Sequence, residues 1–312
     1  MADMSGAISQ MVILLIVMGV GILATKLGYL DDYIKGKLTK LILNITLPCM
    51  IVASSGSIDV ESLGSDLGWA FGLGALMFFL FLATGWICNV VLRVPYEERN
   101  VYLFMSFLTN TSFIGIPVVA AIYGNQTVLL SSVVIMALTV LIYSVGFAIV
   151  RKDEQGSSVS RAVKDAVLNP MTIASLIAVL FLFARVQLPQ VVQGSLETIG
   201  GLTAPVAMLL VGVIIAGMDI KGALTEWRLY PFILIRNFIA PLLLYLALRG
   251  IVPDATVLGI SVVMFAMPVG SMAAPTLGEL GYEQELPAKG TVMSTLAGFA
   301  VVPAVVHLMA VL

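Results

Sequence analysis

Two short stretches concentrate the groups that could meet a ligand inside an otherwise apolar chain: Thr109-Asn110-Thr111-Ser112-Phe113-Ile114-Gly115-Ile116-Pro117 and Met267-Pro268-Val269-Gly270-Ser271-Met272-Ala273-Ala274-Pro275. Each ends on a proline with Gly, Ser or Asn close by. A proline inside a helix removes one hydrogen bond and clashes with the turn before it, and small polar neighbours let the backbone leave helical geometry. Such a break frees N–H groups, and the helix that restarts after it has a partly positive N-terminus, so the pair suits an anion. Asn110 adds an amide donor, whereas the hydroxyls of Thr111, Ser112 and Ser271 are weaker candidates because they commonly bond back to their own helix. A single kinking proline is more often packing than function, and a lone buried Asn is often glue between helices. It is the matched pair that favours a ligand site.

Chemistry that is missing narrows the choice. No Asp or Glu stands in the middle of an apolar segment; Asp66, Glu279 and Glu283 fall near segment ends. Intramembrane carboxylates are the usual proton relays and sodium ligands, so a paired-aspartate sodium/proton antiporter is disfavoured and a neutral site for an organic anion is expected. Arg236 is the one fixed charge well inside a segment. It could offset a substrate carboxylate, but snorkelling or binding of loop carbonyls is the expected role. His307 reads as a packing residue, and the methionines, among them Met208, Met264, Met267 and Met272, as adaptable lining. Cys49 and Cys88 lie in apolar runs and read as small hydrophobes, with no metal-ligand or disulfide spacing. No metal or cofactor site is expected. Nothing resembles a phosphate-binding loop, and no Ser/His or His/Asp/Glu constellation occurs within the segments, so the chain reads as neither an ATP-driven pump nor an enzyme.

The elements that must position these residues follow from composition. Of 312 residues 60% are hydrophobic and 11% charged, against about a quarter charged in a soluble domain, and the mean hydropathy is +1.06. The chain is an all-α integral membrane protein. A formal charge of −2 excludes a nucleic-acid footprint. Cutting at charged and Gly/Pro clusters leaves ten apolar segments of roughly the length that crosses a bilayer: 8–25, 37–56, 67–92, 99–123, 126–150, 167–185, 196–217, 229–249, 255–280 and 287–311. The two chemical stretches fall in the fourth and ninth. The connector after Val150, with Arg151, Lys152, Arg161 and Lys164, divides the chain into a five-span repeat over 1–150, a linker over 151–166 and a second repeat over 167–312.

Ten spans put both termini on one side. Lys26, Lys35, Lys37, Lys40, Arg93, Arg99, Arg151, Lys152, Arg161, Lys164, Lys221, Arg228 and Lys289 belong to the loops after odd-numbered spans, and only Arg185 and Arg249 to the other side. The positive-inside rule then places both termini outside the cytoplasm of a cell membrane. Five spans per half make the halves inverted copies, and the sequence echoes accordingly. Trp69 and Trp227, Pro117 and Pro275, and Gln126 and Gln284 are each 158 residues apart, and Pro48 and Pro205 are 157 apart. Inverted repeats with paired breaks imply crossed, discontinuous helices 4 and 9 at the membrane midplane.

At these residues the chain resembles the auxin efflux carrier family, which includes bacterial permeases and the plant auxin carriers. Asn110-Thr111, then Gly115-Ile116-Pro117 and Tyr123-Gly124, resemble its span-4 signature; Met267-Pro268-Val269-Gly270 with Pro275 resemble its span-9 signature. Leu47-Pro48, Gly212 to Asp219, and Arg236 with Pro241 match in kind and order. The resemblance implies a ten-helix inverted-repeat fold, similar also to bile acid sodium symporters. Spans 1, 2, 6 and 7 would be a scaffold, and spans 3 to 5 and 8 to 10 an elevator-like transport domain. It also implies a homodimer through spans 2 and 7. The substrate-binding set it implies is Asn110, Thr111, Gly115, Pro117, Pro268, Gly270, Ser271 and Pro275, with Leu47 on the scaffold side. The long central loop of the plant carriers is missing here. The expected function is export or exchange of an organic carboxylate, small or auxin-like. Sodium-coupled uptake on the same fold is the nearest alternative, and a ligand-sensing receptor the third.

Overall fold

The computed structural model describes residues 4–55, 60–150, 168, 170–217 and 220–312. The central linker lies outside these residues, as do Met218 and Asp219. Apart from one isolated bridge, the described residues are helices and their connections. Most of their helices overlap the apolar segments read from the sequence, with some boundaries moved, and the short helix Ile220–Leu224 lies between the seventh and eighth segments. The third begins at Val60 instead of 67, and the seventh at Gln190 instead of 196, with a one-residue turn at Leu202. Five helices among the described residues are long and apolar enough to cross a membrane unaided. Large apolar side chains such as Trp86, Leu180 and Leu243 point outward. Helices hydrophobic all round need lipid on that face.

Prolines set the local geometry. Three of them, Pro48, Pro117 and Pro241, occupy the second position of a regular helix that follows a widened turn: Ile42–Thr46, Thr111–Gly115 and Leu234–Ile239. The ring clashes with the carbonyl four residues back and offers no N–H, and inserting one residue into the turn before it relieves both defects without ending the helix.

The chain divides into two compact units. The first comprises residues 1–72, 112–136 and 167–217. Its main pairing sets Met4–Lys26 against Thr203–Ala216. A Cβ at Gly21 would strike the backbone of Leu209, and one at Gly212 the carbonyl of Met18, so these helices touch backbone to backbone. Small residues at such contacts are how helices associate in lipid, where no hydrophobic force drives them together. Leu47–Ser54 is flanked by Pro170–Phe183 and Gln190–Gly201. At Gly200 an added Cβ would lie 2.7 Å from the Met50 Cα, another close approach that only glycine permits.

The second unit comprises residues 73–111, 137–166 and 218–312. Its core is aromatic: Phe78, Phe81, Tyr102, Phe104, Phe107, Phe232 and Phe265 are all buried. Phe81 and Phe265 approach to 4.3 Å between centroids, and Tyr102 meets Phe232 edge-on at 5.3 Å. The helix Glu285–Val311 packs against Arg99–Phe107, Ala255–Ala266 and Ala273–Glu279, the three pieces that carry both broken stretches.

Candidate functional site

The second unit holds the break. Helix Arg99–Phe107 stops before Leu108, and helical backbone resumes at Thr111; helix Ala255–Ala266 stops before Met267 and resumes at Ala273. Between the stops the two extended pieces pair as a minimal antiparallel bridge, Thr109 opposite Val269. The Asn110 N–H donates to the Pro268 carbonyl at 2.8 Å, and the Gly270 N–H to the Leu108 carbonyl at 2.7 Å. Backbone groups freed by the breaks thereby satisfy each other, as groups away from water must. Pro268 fits because it serves only as an acceptor here. Gly270 fits because a Cβ would lie 3.2 Å from the Leu108 carbonyl oxygen.

A ring of polar side chains holds this bridge. Thr109 Oγ1 donates to the carbonyls of Met267 and Pro268, both at 3.3 Å. Asn237 Nδ2 donates to those of Ala266 and Met267, both at 3.0 Å. Ser294 Oγ accepts the Val269 N–H at 3.0 Å, and Thr291 Oγ1 donates to Gly270 at 3.3 Å. Arg236 is fully buried: Nε donates to the Ser106 carbonyl at 3.0 Å, Nη1 donates to Met267, and the guanidinium lies 4.9 Å from the centre of the Phe81 ring. Arg236 therefore binds carbonyls, as expected, but those of the broken helix ends and not of a loop. The expected snorkelling is absent. Asn110 differs from this ring. It is only 5% exposed, and its side chain takes no part in the hydrogen bonds that hold the bridge.

The first unit contains a cavity of about 730 Å³. One wall is the helix Ile116–Tyr123, which Gly124 ends at φ +91°; Pro117, Ala120 and Ala121 face the cavity from it. Met50, Ala53 and Ser54 line it from Leu47–Ser54, and Glu197, Gly200 and Gly201 from Gln190–Gly201. Its polar groups include Asn125, Gln126 and Glu197. Gln193 Nε2 donates to Glu197 Oε1 at 2.7 Å and to the Ala53 carbonyl at 2.9 Å, holding the carboxylate in place.

The expected residues thus divide. Asn110, Pro268 and Gly270 meet in the bridge; Thr111 is buried beside it, and Ser271 half-buried just after it. Pro275 stands in the first turn of Ala273–Glu279, exposed. In the first unit, Gly115 is buried in the widened turn, Pro117 lines the cavity, and Leu47 is fully buried beside lining residues without lining it. Thr109 belongs to the first stretch, whereas three supporting residues lie outside both stretches: Asn237, Thr291 and Ser294. Each is a polar residue in a largely apolar segment, which is a signal, though one shared by many idle hydroxyls. Glu197 escaped because its segment was started at 196, whereas the helix begins at Gln190 and carries Glu197 two turns in. His307 is exposed.

A family model described as membrane transport protein matches residues 7–306. The chain is 23% identical over 311 residues to an uncharacterized transporter of Methanothermobacter thermautotrophicus, covering 96% of this chain and 97% of that one. Among solved structures, the sodium proton antiporter of Methanocaldococcus jannaschii at pH 8 aligns with a TM-score of 0.46 and 15% identity, over 97% of this chain and 98% of that one.

Proposed function

Because the chain belongs to the membrane transport protein family, the auxin efflux carrier family whose motifs it carries, we propose that it moves an organic carboxylate across a cell membrane by alternating access, with the crossover as binding site. Family membership makes it a multi-pass membrane transporter and not an enzyme. The observation that carries the substrate reading is Asn110, only 5% exposed at the paired helix breaks, whose side chain makes none of the hydrogen bonds that hold the bridge. A buried polar group is normally paired, so an amide left out of the bridge at a helix break supports a ligand as its partner. The substrate-binding set is Asn110, Thr111, Gly115, Pro117, Pro268, Gly270, Ser271 and Pro275, with Leu47 behind.

The motion is that of an elevator: spans 3 to 5 and 8 to 10 travel against a scaffold of spans 1, 2, 6 and 7, and spans 2 and 7 make a homodimer. The 158-residue echo supports inverted repeats over 1–150 and 167–312, the Lys/Arg asymmetry of the loops supports both termini outside the cytoplasm, and the proposed direction is export. Sodium or proton coupling is the second reading. It is favoured by Glu197, an acidic residue among those lining the cavity of the first unit, with Asn125 and Gln126.

The test is charge movement in proteoliposomes challenged with malonate, malate and indole-3-acetate, with and without sodium. A sodium-independent current that Asn110→Ala abolishes is the expected result. A current needing sodium moves the protein to the coupled reading, and a normal current in Asn110→Ala removes that residue from the site.

A further inference from the structure

The reading of the crossover as an anion site raises an electrostatic difficulty, because two helices end there with their C-termini. Arg99–Phe107 and Ala255–Ala266 both direct their last carbonyls at the bridge. A helix C-terminus carries about half a negative charge, so the two ends together approach about one negative charge. Left alone, this would offset the positive N-termini of the helices that restart after the breaks, on which attraction of a carboxylate depends. Arg236 lies on those ends. Its Nε takes the Ser106 carbonyl near the end of the first helix, and its Nη1 the Met267 carbonyl just past the end of the second. The side chain is fully buried, and among the described residues Nη2 has no partner and the polar and ring contacts of the guanidinium are two carbonyls and the Phe81 ring, with no carboxylate. A guanidinium stays protonated in proteins, so this is a fixed positive charge in a place of low dielectric. A buried charge without an ionic partner is costly and persists where surrounding dipoles or a ligand compensate it. The device exists in one half only, since the position 158 residues earlier is Phe78.

We propose that Arg236 sets the charge preference of the crossover: it cancels the negative poles of the two helix ends that converge on the bridge, so that the site accepts an anion. This rests on the crossover being the binding site. Arg236 is a positioning and specificity-determining residue that acts through the helix ends, and its unpartnered Nη2 adds positive potential on the same spot. Asn237 shares the Met267 carbonyl but supplies no charge, so the two neighbours separate geometry from electrostatics.

The experiment measures thermal stabilisation of the purified full chain by indole-3-acetate and malonate, by their uncharged amides, and by tryptamine as a cationic match. Wild type is expected to prefer carboxylate over amide. Arg236→Met should reduce that preference about tenfold or more while binding the amide as before, and Arg236→Lys should keep the preference in weakened form because it keeps the charge. A folded Arg236→Met with an undiminished carboxylate preference overturns the inference and leaves the carboxylate reading standing. If Arg236→Met does not fold, Arg236→Lys decides, since loss of the preference there overturns a role based on charge. A wild type stabilised by tryptamine or the amides and not by the carboxylates overturns both.

Discussion

At the scale of single residues, two of the buried asparagines of the second unit, Asn237 and Asn110, make opposite predictions. Asn237 feeds two carbonyls at a helix end, and while Met267 keeps Arg236 and Thr109 as donors, Asn237→Ala leaves the Ala266 carbonyl unpaired in an apolar interior and should cost about 2 kcal/mol of stability. The Asn110 side chain takes no part in the hydrogen bonds that hold the bridge, so Asn110→Ala should cost about 1 kcal/mol or less while transport is lost. Denaturation of the purified protein beside proteoliposome currents reads both, and equal stability losses would place Asn110 among the structural residues. Glu197 belongs to this scale too. Under the coupled reading, Glu197→Gln removes the dependence of transport on sodium or pH while carboxylate binding persists. Retention of that dependence in the variant would rule Glu197 out as the coupling group.

At the scale of elements, the widened turn Thr111–Gly115 followed by Pro117 is where proline chemistry becomes geometry. Pro117→Ala restores an N–H and removes the clash, so the turn can close to regular helix; turnover should fall severalfold with stability unchanged or raised. Full turnover would show that the widened turn is packing alone. Helix pairing in the first unit gives a second test. Gly212→Leu drives a side chain into the Met18 carbonyl and should destabilise by about 2 to 3 kcal/mol, whereas Gly72→Leu, where a Cβ meets open space, should be close to neutral in the same melt. The elements themselves were largely legible, because apolar run length and proline position are local properties. Their ends were less so. Moving the start of one helix from 196 to Gln190 brought a carboxylate into a cavity wall, and no periodicity in so uniformly apolar a chain marks that boundary.

At the scale of the whole molecule, the asymmetry of Lys and Arg between alternate loops predicts a topology that single-cysteine labelling can read. With Cys49 replaced and Cys88 fully buried, Lys37→Cys should react only from the cytoplasmic side and Leu312→Cys only from outside. Labelling of both from one face would reverse or break the ten-span order and the inverted repeat with it. Family membership extends from residue 7 to 306, so it describes nearly the entire chain and not a module within it.

Sequence alone determined that this chain lives in a membrane as helices, that two of those helices break, and that Asn110 sits at one break, because each follows from hydropathy, proline chemistry and spacing along the backbone. Tertiary structure decided the rest. The pairing of Thr109 with Val269, the Arg236 guanidinium on the Ser106 and Met267 carbonyls, and the Gln193 amide between Ala53 and Glu197 all join residues distant in the chain. Such contacts arise from packing and from the need to satisfy buried polar groups, and neither constraint is visible until the helices are brought together.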